Sequence, residues 1–386
     1  MLDAAPGTPH GRNNPWLDLI RSIAILLVLF RHGERALQAE LGESQGVLQT
    51  IFMNGWVGVD LFFVLSGYLI SRHLMRAGIG SGRFHLGRYL ATRALRIVPA
   101  YYAALLLVVA GVFPFFPVAA EGLSVRVAYH LLFLQDYLPS DINVVFWSLG
   151  VEEKFYLLAP LLIFALLRCR STWLRLSLLV ALFVLPVVLR TMVFSGMDAG
   201  PDYPTFWRLL RSPFHMALEG LIVGVGIAIA EHSGFVRRSP RYGLATLLVA
   251  SMVLAAWLGS GDFMAEITVV DVLVQPPLIA LLAGSMTLGA VMLAGAPMPF
   301  TPAWRFLSRL SYSLYLVHFP LIPLAIPYAK PYGPLAFWIL YLLAGLCVAL
   351  LVHIAVERPF LRWKERLERR DTVPPKAPLG ASPQLR

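Results

Sequence analysis

Arg21 and His32 stand at the two ends of Arg21-Ser-Ile-Ala-Ile-Leu-Leu-Val-Leu-Phe-Arg-His32, where nearly everything between them is hydrocarbon. Eleven helical positions at about 100° each return almost to the same face, with a rise of roughly 16 Å. A cation and a titratable imidazole therefore point the same way from different depths of one apolar helix. Ionisable groups in such a setting are costly and face a protein interior or a water-filled cavity. Imidazole titrates near neutrality and suits general-base work. The plain alternative for His32 is an interfacial histidine beside Arg31 and Glu34.

A second constellation is Ser148, Glu152 and Tyr156, spaced i, i+4, i+8 on one helical stripe. Its carboxylate sits in an otherwise apolar run, next to Glu153 and Lys154. Arg93 and Arg96, at i, i+3 just before another apolar run, share a helix face. Arginine forks bind phosphate oxygens bidentately, although arginines at a membrane surface often serve topology alone. Asp60 is placed to orient His32, or to be an ordinary interfacial carboxylate. His215 and Glu219 form an i, i+4 pair that would line a pocket or neutralise one another. His318 reads as mid-span, either hydrogen-bonded in the core or facing substrate. Ser66-Gly67 permits close helix approach. No P-loop, His-Glu-x-x-His or Gly-x-Ser-x-Gly pattern occurs, and no metal site is expected.

The elements that must position these groups are membrane helices. The chain has 386 residues, is 58% hydrophobic and only 14% charged, against about 25% charge in soluble domains. Cys169 and Cys347 suggest neither disulfide nor metal. The start reads as an uncleaved first helix rather than a signal peptide, because Asp18 and Arg21 interrupt its apolar region. Apolar windows place ten spans near 17–38, 54–75, 95–117, 146–167, 173–195, 212–231, 242–259, 268–294, 310–329 and 335–356. Residues 123–138 read as an amphipathic or half-inserted helix. The expectation is an all-α integral membrane protein of about ten transmembrane helices, with segment 1–14, a membrane domain 15–360, and a basic, Pro-rich, disordered tail 361–386. Most basic residues then fall on the amino-terminal side, which predicts both termini cytoplasmic. The net charge of +10 is that topological signal and calls for no nucleic acid.

Taken together, these motifs resemble the acyltransferase-3 family of membrane acyltransferases, over residues 15–365. The resemblance rests on Arg21/His32, Phe62-Phe63-Val-Leu-Ser66-Gly67, Arg93/Arg96, Ser148/Glu152/Tyr156 in a Trp-Ser-Leu context, the Ser311–His318 segment, and Glu357-Arg358-Pro359. It implies transfer of an acyl group, usually acetyl, from cytoplasmic acyl-CoA to a hydroxyl of an extracytoplasmic glycan or lipid-linked saccharide, in a bacterial inner membrane. His32 and Glu152 are the expected catalytic pair, His32 deprotonating the acceptor hydroxyl or else carrying the acyl group itself, and Glu152 orienting or stabilising the imidazolium. Arg21, Arg72, Arg93, Arg96, Ser148 and Tyr156 are expected to bind acyl-CoA. Asp60, His215, Glu219 and His318 are candidates for the acceptor pocket. Acyl-CoA is a co-substrate, and no permanently bound cofactor is expected. Some relatives carry an extra esterase-like domain after the helices; this sequence follows its helices with a short tail, which leaves open a partner that completes transfer. The alternative class is a transporter or flippase, since buried charge and broken helices suit one too. The absence of a visible inverted repeat speaks against it.

Overall fold

The computed structural model describes residues 14–42, 46–82, 84–138, 141–197, 200–264 and 266–369. The expected segment 1–14, Asn14 excepted, and the Pro-rich end of the tail from 370 lie outside them. Among the described residues all regular structure is helical, with no strand. Among the described residues each apolar window overlaps a helix: α1 Pro15–Leu41, α2 Gly58–Arg76, α3 Leu86–Val109, α4 Trp147–Arg168, α5 Thr172–Ser195, α6 Leu218–His232, α7 Pro240–Leu258, α8 Gln275–Met292, α9 Thr301–Val317 and α10 Ala329–Val352. An eleventh, α11, covers Arg358–Arg369.

Among the described residues six segments are long and apolar enough to cross a membrane: Gly55–Arg76, Leu86–Val109, Thr172–Ser195, Pro240–Leu258, Gln275–Met292 and Phe319–Glu368. The other helices fall short for identifiable reasons. α1 carries Asp18, Arg21, Arg31 and Glu34, α4 carries Glu152, Glu153 and Lys154, and α6 and α9 have 15 and 17 residues. The charges that make α1 and α4 interesting are the same ones that lower their hydropathy.

Several boundaries differ from the sequence reading. α3 and α9 each begin nine residues before their apolar windows, so Arg93, Arg96, Arg305 and Arg309 lie inside helices rather than ahead of them. Helical hydrogen bonding continues through a charged turn, which hydropathy does not register. Residues 361–369 are helical rather than disordered. The amphipathic segment is a shorter helix, Leu123–Leu131.

α1 starts where its sequence dictates. The Asn14 side chain accepts from the Trp16 amide, Pro15 occupies the first position and Asp18 the first turn, which suit capping and the helix dipole. Ser308 on α9 then donates to Asp18 Oδ1 at 2.8 Å, and Ser22 donates to the Trp304 carbonyl at 3.0 Å. α2 is the central helix and α5 a peripheral one: 72% and 11% of their apolar windows are buried. α2 packs most extensively on α6. A Cβ added to Gly67 would lie 2.1 Å from the Leu221 carbonyl oxygen, and one on Gly224 2.2 Å from that of Val64. Small residues therefore set the spacing of the two helices. Pro99, Pro160 and Pro186 lie inside α3, α4 and α5. A π-helical turn, His353–Glu357, joins α10 to α11 and re-aims the chain toward α3.

Overpacking where α2 meets α6 should cost about 1–3 kcal/mol or more. Gly67→Val is expected to lower the melting temperature of the purified protein clearly. Gly226→Ala, where a Cβ meets nothing within 4 Å, should leave it nearly unchanged. Differential scanning fluorimetry on both variants checks this.

Candidate active site

A cavity of about 790 Å³ runs between α1, α2, α3, α4, α9 and α11. Its lining follows one face of α2 from Val59 to His73, roughly 21 Å of helix. One end is basic. Arg72 and His73 from α2, Arg93 and Arg96 from α3, and Arg305 and Arg309 from α9 meet there, and α11 adds Arg358, Arg362 and Lys364. Arg72 is partly neutralised by Glu231 at 3.2 Å, which also accepts from Tyr68 at 2.7 Å. Glu357 in the π turn accepts from Ser313 at 2.8 Å and contacts His353 at 2.8 Å.

The middle of the cavity holds Arg21, Ser66, Glu152 and Tyr156. The Glu152 carboxylate is fixed at both oxygens: Ser66 Oγ donates to Oε1 at 2.7 Å, and the Tyr156 hydroxyl donates to Oε2 at 2.9 Å. The far end is closed by Phe62, Ser148 and Tyr315. Ser148 Oγ and the Tyr315 hydroxyl are 2.6 Å apart, and the same hydroxyl donates to the Val145 carbonyl at 2.5 Å.

Just beyond this closure stand two imidazoles. The His318 ring centre is 5.7 Å from that of Tyr315 and 5.1 Å from that of His32. His318 Nε2 lies 3.2 Å from His32 Nδ1. His32 Nδ1 also lies 2.9 Å from the Val28 carbonyl. Arg31, an interfacial charge by sequence position, is buried and donates to the Met53 carbonyl.

Seven of the expected residues share the cavity: Arg21, Arg72, Arg93, Arg96, Ser148, Glu152 and Tyr156. His32 is not on its wall, and its partner is His318 rather than Glu152. Glu152 is held by α2 and its own helix, in reach of Arg21 and Arg96. The expected acceptor group disperses. Asp60 does not orient His32; it pairs with Arg211 at 2.5 Å. That guanidinium lies 5.6–6.0 Å from the ring centres of Trp56, Trp147 and Trp207. Glu219 does not pair with His215; it pairs with the fully buried Arg190. His215 precedes α6 in a short turn and contacts the Tyr137 hydroxyl at 2.9 Å. None of Asp60, His215, Glu219 or His318 lines the cavity. Lys154 bonds Asp136 at 2.6 Å, in the loop before α4; burial raises the Asp136 carboxyl, and that lysine opposes the shift.

Charge counting alone assigns Arg305, Arg309, Arg358 and Arg362 to topology. The signal that marks them as a site is their spacing: each pair is i, i+4 and so shares one helix face. Arg190 and Arg211 read as outer-side charges, and only long-range packing reveals their partners.

A family model described as an acyltransferase domain matches residues 14–354. The chain is similar to the peptidoglycan O-acetyltransferase OatA of Listeria monocytogenes, 26% identical over 344 residues, covering 81% of this chain and 50% of that protein. It is similar to the putative peptidoglycan O-acetyltransferase YrhL of Bacillus subtilis, 26% identical over 379 residues, covering 91% and 55%. The putative acetyltransferase ORF330 of Acidianus two-tailed virus is 30% identical over 196 residues, covering 50% and 54%. The chain thus spans about half the length of these curated relatives. No solved structure matches it.

The burial of the Asp60–Arg211 pair predicts a structural phenotype. Removing one partner of a buried pair costs about 3–5 kcal/mol. Asp60→Ala should therefore sharply reduce the amount of folded protein recovered from membranes. Quantitative size-exclusion profiles against the parent chain check it.

Proposed function

The chain belongs to the acyltransferase-3 family, and from that premise we propose that it is a multi-pass membrane O-acyltransferase. It moves an acyl group, acetyl by preference, from cytoplasmic acyl-CoA to a hydroxyl of an extracytoplasmic glycan or lipid-linked saccharide. The observation that carries this reading is the cavity, with its basic rim at one end and the His318–His32 pair next to its closed end. Coenzyme A is a polyanionic nucleotide on a long, narrow, largely uncharged arm. Its phosphates match the rim formed by Arg93, Arg96, Arg309 and Arg362, and its arm matches the face of α2 that runs inward past Glu152. The thioester then lies near Ser148 and Tyr315.

In the proposed step His32 takes the proton of the acceptor hydroxyl as its oxygen attacks the thioester carbonyl. The C–S bond breaks, and the departing thiolate receives the proton from the imidazolium, giving ester and free thiol. Glu152 lines the donor path and does not orient the base. Its fixed carboxylate offsets the positive charge of Arg21 and Arg96 at the depth where the arm is uncharged. The names of the similar proteins support acetyl as the group and a cell-wall polymer as the acceptor class. All ten helices cross the bilayer of a bacterial inner membrane in this reading. α1 and α4 cross because their charges face protein rather than lipid, and the short helices α6 and α9 are continued by the helical turns Phe214–Met216 and Phe319–Leu321.

Purified protein in lipid vesicles should transfer the acyl group of acetyl-CoA to a saccharide acceptor. His32→Ala should lower that rate by about 10²–10⁴-fold while acetyl-CoA still binds. Arg93→Ala/Arg96→Ala should instead weaken binding, by about 1.5–3 kcal/mol for each charge-assisted hydrogen bond to phosphate that is removed. Normal transfer by His32→Ala at matched protein level contradicts the mechanism. For the topology, Ser81→Cys in a background lacking Cys169 and Cys347 should react with impermeant maleimide only after the cells are opened. Labelling in intact cells contradicts the orientation.

A further inference from the structure

The imidazole pair beyond the cavity has a defined hydrogen-bond polarity. His318 Nδ1 faces two backbone carbonyls, Tyr315 at 2.8 Å and Leu314 at 3.2 Å. Carbonyl oxygens only accept, so the nitrogen that faces them carries the hydrogen. In a neutral imidazole the other nitrogen is then an acceptor. His318 Nε2 therefore presents a lone pair, and it points at His32 Nδ1. His32 Nδ1 meets a second acceptor, the Val28 carbonyl at 2.9 Å. A bare His32 Nδ1 would oppose lone pair to lone pair at that oxygen. The hydrogen-bond network thus assigns the hydrogen of His32 to Nδ1. It leaves Nε2 of His32, which no protein group among the described residues bonds, with its lone pair free.

We propose that His318 is the positioning residue of this site: its backbone-locked tautomer holds His32 in the Nδ1–H form and aims Nε2 at the acceptor hydroxyl. This rests on the reading of His32 as the base. When His32 Nε2 takes a proton, the ring becomes an imidazolium whose Nδ1–H already has its acceptors in place. In a Ser-His-Asp triad a carboxylate holds that position; here a second imidazole does, while the Glu152 carboxylate is bound to Ser66 and Tyr156. His318 is itself enclosed: it is fully buried at the end of α9, with Phe319 edge-on to His32 at 5.2 Å.

The test compares two replacements of equal length. The carbonyl of His318→Gln can reach the position of Nε2 and accept from His32; the side chain of His318→Met cannot. Acetyl transfer is measured at saturating acetyl-CoA in vesicles, with KM for the donor measured alongside. His318→Gln is expected to stay within about tenfold of the parent kcat and His318→Met to fall about 10²-fold, the cost of a misplaced catalytic group, both with an unchanged donor KM. Equal turnover by the two variants, while His32→Ala is inactive, overturns the assignment of His318 and leaves the base intact. Full activity of His32→Ala overturns both. The unsubstituted protein gives a second readout that does not depend on any variant folding. The 15N shifts of His32 should show a protonated Nδ1 and a bare Nε2; the opposite tautomer overturns the proposal.

Discussion

Charge inside a bilayer has to be enclosed by protein, and the architecture follows from that constraint. Asp60 with Arg211 and Glu219 with Arg190 are buried pairs that tie α2, α5, α6 and the turn before α6 together. The basic cavity is a larger solution to the same problem: arginines from α1, α2, α3, α9 and α11 share one polar interior rather than meeting lipid. Helices can enclose such a space only if they approach one another closely elsewhere. Gly67 and Gly224 supply that approach, at backbone contact between α2 and α6.

Charge also grades the cavity along its length. Cations dominate its rim, the fixed Glu152 carboxylate stands in the middle, and aromatic and hydroxyl groups close it. On the reading of an acyl-CoA site, this order is that of the ligand itself: phosphates, uncharged arm, thioester. Tyr315 then stands between donor and base. Its hydroxyl bonds Ser148 and the Val145 carbonyl, and its own carbonyl faces His318 Nδ1. One residue of α9 thereby links the closure of the cavity to the orientation of the imidazole pair.

Much of this is legible in the sequence, and the division between what is and what is not is physical. Spacing reports which residues share a helix face. Ser148, Glu152 and Tyr156, and Arg93 with Arg96, do reach one cavity together with Arg21 and Arg72. Spacing does not report which helix lies opposite. It matches Asp60 to His32 and Glu219 to His215, because only neighbours in sequence or depth are in view. The actual partners, Arg211 and Arg190, come from elsewhere in the chain. Hydropathy finds the apolar part of each helix but sets the starts of α3 and α9 too late, since a charged turn is as helical as an apolar one. The same bias assigns α11 to a tail, although its basic face completes the rim.

The central claim is that one cavity carries the donor to the imidazole pair. A cryo-EM structure with a non-hydrolysable thioether analogue of acetyl-CoA tests it most directly. The account predicts phosphate density among Arg93, Arg96, Arg309 and Arg362, with the sulfur beside Ser148 and Tyr315 and the acetyl group turned toward His318 and His32. A nucleotide bound outside the cavity, or an acetyl group at the basic rim, would contradict it.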